Sequence, residues 1–136
     1  MQTYTISDIS KMFNLSASTI RYYEKIGLLV DVEHVNSYKR VFNQSHIDRL
    51  YAIECFKKAL LSLDEIKLFF IYEKEMGKNS GKILEMMKNQ EEKTRKKIHD
   101  LETGLNHLQK KIHYYSLVNI AINENKPLPS WDEIES

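Results

Sequence analysis

The residues best suited to chemistry lie between Ser16 and Val30, where the chain reads SASTIRYYEKIGLLV. Ser16 can cap a helix; behind it come small hydroxyl side chains, an arginine, two adjacent tyrosines and Gly27 as a stop. Such a set donates hydrogen bonds rather than performing catalysis. Hydroxyls and phenols can donate to phosphate oxygens, and a guanidinium can bond guanine O6 and N7 together. A short helix with donors on its first turn and an apolar far side suits a DNA groove. Elsewhere no nucleophile–base pair, phosphate loop or paired carboxylate set is visible, so an enzyme is not expected.

Other chemistry is thinly supplied. The single cysteine, Cys55, excludes an intramolecular disulfide and any multi-cysteine metal site. His99, His107 and His113 do not fall at the one-turn spacing that would bring two imidazoles to one metal, so no metal or cofactor is expected. Twenty basic against nineteen acidic residues leave a formal net charge of +1. A polyanionic partner therefore requires a local basic face, with acidic residues elsewhere cancelling the total. The end of the chain supplies such cancellation through Glu124, Asp132, Glu133 and Glu135 against Lys126. No apolar run is long enough to span a bilayer and no secretory leader follows Met1, so a cytoplasmic location is the default.

The elements that must position the Ser16–Val30 stretch follow from caps and periodicity. With two prolines and four glycines in 136 residues, the body is expected to be mainly helical. Thr5 and Asp8 bracket the start of a helix from Ile6 to Phe13, and Asn14-Leu15-Ser16 breaks it before a second from Ala17 to about Ile26. Two short helices around a tight turn make a helix-turn-helix. Leu28-Leu29-Val30 and Arg40-Val41-Phe42 are β-favouring runs that could pair as a hairpin wing, bringing Lys39 and Arg40 to its returning strand. Asn43 caps a third helix to about Leu60. Ser62 and Glu65 form a capping box for a fourth, ending near Lys74.

Met76-Gly77-Lys78-Asn79-Ser80-Gly81 reads as a loop, after which a long helix runs from Lys82 to about Tyr115. Its apolar residues Ile98, Leu101, Leu105, Leu108, Ile112 and Tyr115 alternate in spacing between three and four, as in a coiled coil. A seam of that kind cannot be buried by its own helix, so a homodimer is expected. The resulting plan is a DNA-binding head over residues 1–75, a linker over 76–81, a dimerisation helix over 82–116 and a short tail over 117–136. Trp131 is the expected anchor of that tail.

The order YTISDISKMFNLSASTIRYYEKIGLL, NSYKRVF and HIDRLYAIECFKKALLSLDEI, followed by a long helix, resembles the MerR family of bacterial transcription regulators. The resemblance is specific over the first seventy residues or so and continues by pattern only. It implies a winged helix-turn-helix joined as a dimer through an antiparallel coiled coil. It further implies binding to double-stranded DNA at an inverted repeat in a promoter spacer, which is distorted so that RNA polymerase can use it.

Carried onto this chain, the family's groove and phosphate contacts fall on Ser18, Thr19, Arg21 and Tyr22, and its wing contacts on Lys39 and Arg40. Ser16, as the cap, and Tyr23 complete the expected DNA-binding set. Phe42 stands where the family often has tyrosine, and Leu60 where it often has glycine. Cys55 is placed like the lone cysteine of the aldehyde- and nitrosothiol-responsive branch, which implies a thiol sensor for a reactive electrophile; the alternative for Cys55 is a buried structural residue. For the whole chain, the alternative function is a structural DNA-binding or coiled-coil adaptor without regulatory switching.

Overall fold

Residues supplied by the local sequence close the helices of the head. A computed structural model describes residues 2–132, so Glu133 and Glu135 of the expected acidic tail lie outside the described residues. Helix α1 (Ile6–Phe13) begins at a reciprocal cap, in which the Thr5 hydroxyl accepts the Asp8 amide at 3.1 Å and the Asp8 carboxylate accepts the Thr5 amide at 2.9 Å. Those bonds hold the Asp8 carboxyl below its ordinary pKa range. Helix α2 (Ala17–Lys25) begins at Ser16, whose Oγ accepts the Thr19 amide at 3.1 Å. Helix α3 (Gln44–Lys58) follows Asn43. Helix α4 (Leu63–Lys74) follows the Ser62–Glu65 box expected from the sequence.

A single kind of turn ends several helices. After α2, the Leu28 amide reaches the Tyr23 carbonyl at 2.8 Å and the Gly27 amide reaches Glu24 at 3.2 Å, around Gly27 at φ +85°. This is a Schellman turn, which requires a left-handed residue at its centre. After α3 the same pair of bonds, Leu61 to Phe56 and Leu60 to Lys57, forms around Leu60 at φ 73°. Leucine thus takes the conformation that glycine would adopt without a Cβ clash.

The wing differs from its expected position. Strands β1 (Glu33–His34) and β2 (Arg40–Val41) pair antiparallel, with Glu33 opposite Val41 and His34 opposite Arg40. Leu28 and Leu29, expected in the first strand, instead drop into the core, with 0% and 1% of their surface exposed. The Schellman turn aims them there, and burying two leucines contributes about 1.5–3 kcal/mol each. Phe42, beyond β2, exchanges backbone bonds with Tyr4 at 2.8 and 2.9 Å.

The core joins Ile9 of α1, Ile20 and Tyr23 of α2, Leu28, Leu29 and Phe42 with Leu50 and Ile53 of α3 and Ile66 of α4. Buried His46 fastens the start of α3. Its Nδ1 accepts the Asn43 amide at 3.0 Å and its Nε2–H donates to the Val30 carbonyl at 2.8 Å. Arg49 lies over the Phe70 ring at 3.8 Å and donates through Nε to the Leu28 carbonyl.

The expected loop over 76–81 is helical, and helix α5 runs from Met76 to Asn123, past the expected end near Tyr115. Gly77 and Gly81 each cost a helix about 1 kcal/mol relative to alanine. That is too little to interrupt a helix already nucleated on both sides, where each added residue gains a hydrogen bond. The chain divides into two units, residues 1–91 and residues 92–136. In the first, Met87 packs against the core and Gln90 donates to the Ala59 carbonyl at 3.0 Å. In the second, the expected seam residues are 50 to 72% exposed in the single chain. There the tail returns to its own helix: the Tyr114 hydroxyl donates to the Pro129 carbonyl at 3.0 Å and Lys111 Nζ lies 4.0 Å from the Trp131 ring centre.

Candidate nucleic-acid interface

Helix α2 is two-faced. Ile20 and Tyr23 are buried, while Ser18, Arg21, Tyr22 and Lys25 are exposed. Spacings of three, four and seven put those four on one stripe. Lys25 was not among the expected contacts, although the same periodicity points to it. At the start of the stripe the hydroxyls of Ser16, Ser18 and Thr19 are linked at 3.0 and 2.9 Å through Ser16. Ser16 is therefore occupied as the cap, Thr19 is half-buried, and Ser18 stands outward.

Tyr23 must be removed from the DNA-binding set. It is 2% exposed, and its hydroxyl receives a hydrogen bond from Lys57 Nζ at 2.7 Å. That bond raises the Lys57 pKa above its ordinary range; partial burial opposes the shift, while contact with Glu54 adds to it. A tyrosine held this way supports the helix from beneath. Its partner lies 34 residues away, beyond the reach of local pattern.

Beside the stripe stands the wing. Asn36 Oδ1 accepts the amides of Tyr38 and Lys39 at 2.8 and 2.9 Å, and the Val35 amide bonds the Lys39 carbonyl at 2.9 Å. This side-chain turn fixes the tip and leaves Tyr38 93% exposed, with Lys39 also outward. Arg40, expected with Lys39 among the wing contacts, also bonds inward. It is half-buried, and its Nε donates to Glu24 Oε1 at 2.7 Å. His34 Nε2 meets Glu24 Oε2 at 2.5 Å, so one carboxylate touches both strands of the wing. Burial pushes the Glu24 carboxyl up, but the hydrogen bonds and charges of Arg40 and His34 outweigh it and hold the carboxyl below its ordinary range.

Between α2 and the wing lies an open hollow of about 470 Å³ lined by Ser18, Arg21, Tyr22, Glu24, Lys25 and Arg40. Three cations against one carboxylate give it a positive balance although the whole chain is nearly neutral. Its charge and its donors suit a phosphate. Sequence reasoning missed Glu24 and His34.

Cys55 lies elsewhere, on α3. It is exposed, which removes the buried structural alternative. A shallow hollow of about 460 Å³ holds it with Met12, Phe13, Tyr51, Glu54, Lys57 and Lys58. A hydrogen bond with its thiol, then its charge, push the Tyr51 hydroxyl pKa up. Lys57 is engaged by Tyr23 and Glu54, at 2.7 and 3.2 Å.

A helix-turn-helix with a docked two-stranded wing and an outward basic stripe defines a winged DNA-binding head. Residues 4–71 match the MerR HTH family of regulatory proteins, and the chain belongs to that family. An uncharacterised HTH-type transcriptional regulator of Bacillus subtilis, YyaN, is 30% identical over 93% of this chain and 100% of its own. Among solved structures, HiNmlR superposes with a TM-score of 0.78 and 27% identity, over 92% of each chain. It is described as a MerR family regulator lacking the sensor domain, bound to promoter DNA. A MerR family regulator from Bacillus thuringiensis gives 0.71 and 33% identity, over 82% of this chain and 98% of its own.

Proposed function

We propose that this chain is a dimeric transcription regulator that binds an inverted repeat in promoter DNA and distorts it to control RNA polymerase. The observation that carries this reading is the outward stripe of Ser18, Arg21, Tyr22 and Lys25 beside a wing presenting Tyr38 and Lys39. Arg21 reads base edges, because its guanidinium can engage guanine in two places. Ser18, Thr19, Tyr22, Lys25 and the wing residues set register on phosphates. Ser16 acts through the cap. Its work is binding rather than catalysis, and it is done on cytoplasmic DNA. No helix among the described residues is long and apolar enough to cross a membrane.

The second copy comes through the seam. Ile98, Leu101, Leu105, Leu108, Ile112 and Tyr115 leave apolar surface that an antiparallel partner helix buries, so the dimerisation region of 82–116 sets the half-site spacing. Bending and untwisting a site costs about 1–10 kcal/mol, within what many phosphate contacts offset. Footprinting the protein on the DNA upstream of its own gene tests the reading. A symmetrical protected site over a promoter spacer, weakening steeply with salt, supports it. Diffuse protection without promoter preference returns the non-switching adaptor.

Cys55 is proposed as the input residue, on the strength of its exposure beside Tyr51. An aldehyde would add to its thiolate, the sulfur bonding the carbonyl carbon while the carbonyl oxygen takes a proton from water. Promoter output from Cys55→Ser with and without an added aldehyde decides this: an unchanged response removes the thiol from the mechanism.

A further inference from the structure

An acidic residue on a DNA-facing helix needs a reason. Glu24 lies on α2 one residue before Lys25, and it lines the same hollow as Arg21, Lys25 and Arg40. Near a phosphate backbone its charge is repulsive, and removing it should by electrostatics alone tighten DNA binding. Yet both of its oxygens are committed inward. Oε1 holds the Arg40 Nε at 2.7 Å and Oε2 holds the His34 Nε2 at 2.5 Å, with Glu24 and Arg40 side chains each 21% exposed.

These bonds cross between elements. His34 stands on β1, Arg40 opposite it on β2, and Glu24 on the helix beside them. The paired wing strands are two residues each, too short to hold a fixed pose on their own pairing. The Asn36 turn fixes the wing tip, and the Tyr4–Phe42 bridge holds the far end of β2. Among the described contacts, the Glu24 carboxylate is the charged link between wing and helix. Because Arg40 is held through Nε, its two terminal nitrogens remain for an oxyanion.

We infer that Glu24 is a positioning residue: it clamps both wing strands to α2 and thereby aims Arg40 at a DNA phosphate, without touching DNA itself. This rests on the DNA-binding reading above and adds to it a role opposite in sign to the one its charge predicts. His34 steadies the clamp from the first strand. The phosphate contact belongs to Arg40.

Two measurements on the full-length protein test this. The first is a double-mutant cycle of affinity for the footprinted duplex, with Glu24→Gln, Arg40→Gln and the double variant. Each single change is expected to weaken binding about tenfold, and the double variant no more than either, because one interaction is being lost each time. Hydroxyl-radical protection should fade at the positions that the wing covers and persist at those under α2. Tighter binding by Glu24→Gln, or losses that multiply to about a hundredfold, overturns the inference.

The second measurement uses no DNA. Amide relaxation over residues 33–41 should show a more mobile wing in Glu24→Gln than in the wild type, at unchanged melting of the helical core. A wing equally ordered in both overturns the clamp whatever the duplex shows. Should Glu24→Gln fail to fold, His34→Gln and Arg40→Gln must each loosen the same amides, and their failure to do so is equally decisive. A wild-type protein that binds no specific site would defeat the DNA-binding reading, while the relaxation result still judges the clamp.

Discussion

The head and the long-helix unit solve the burial of apolar surface in opposite ways. In the head, Ile9, Ile20, Leu28, Phe42, Leu50, Ile53 and Ile66 are wholly inaccessible. In residues 92–132 the buried apolar residue is Ala121 alone among those described, and Leu101 is 72% exposed. One region is satisfied by its own chain. The other carries a comparable supply of leucine and isoleucine that a single copy leaves wet, so its stability and use depend on another surface.

That contrast is open to direct attack. Leu105→Glu should have the largest effect, placing a charge in the seam. Sedimentation is expected to show a monomer, and operator affinity to fall about 100-fold or more, since two linked half-sites lose their effective concentration. The head should still melt as in the wild type. Full-site binding by such a monomer at unchanged affinity would falsify the paired arrangement. Leu50→Ala attacks the other region and should cost about 2–5 kcal/mol in denaturant unfolding. Leu105→Ala, the same chemical change on an exposed site, should leave head stability within about 0.5 kcal/mol.

Smaller effects sharpen the picture of the head. Arg21→Ala should cost about 1–3 kcal/mol in binding and relax base preference at one position, whereas Lys25→Ala should weaken all sequences alike and reduce the salt slope. Acid should loosen the wing before the core. Glu24 has a depressed carboxyl pKa, so its contribution is complete above the ordinary glutamate range and is lost as pH falls through the lower folded value. Amide exchange over residues 33–41 during acid titration checks this. Leu60→Gly is expected to stabilise by about 0.5–1 kcal/mol by relieving a left-handed leucine, read as a raised melting temperature.

What could be read from the sequence divides along the same physical line. The caps at Thr5, Ser16, Asn43 and Ser62, and the stop at Gly27, were legible because each is decided within four residues. The wing's first strand was misplaced because an apolar triplet after a helix fits a strand and a core anchor equally well. Tyr23 was misassigned, and the inward bond of Arg40 missed, for a related reason: their partners, Lys57 and Glu24, lie 34 and 16 residues away. At 76–81, glycine and asparagine promised a loop, and helix cooperativity outweighed them. Leu60 took the turn that glycine usually takes, as the flanking Schellman bonds demanded.

One consequence follows from the return of the tail to its helix. Trp131, the only tryptophan of the chain, sits 5.3 Å from the Tyr114 ring and beneath the Lys111 ammonium. The protein thus has a single intrinsic indole fluorophore, and it belongs to the helical unit. Its emission should follow events along residues 107–131, while the head, with tyrosines only, stays dark in that channel. Exciting the indole therefore gives a readout of the pairing region separate from the unfolding of the DNA-reading half.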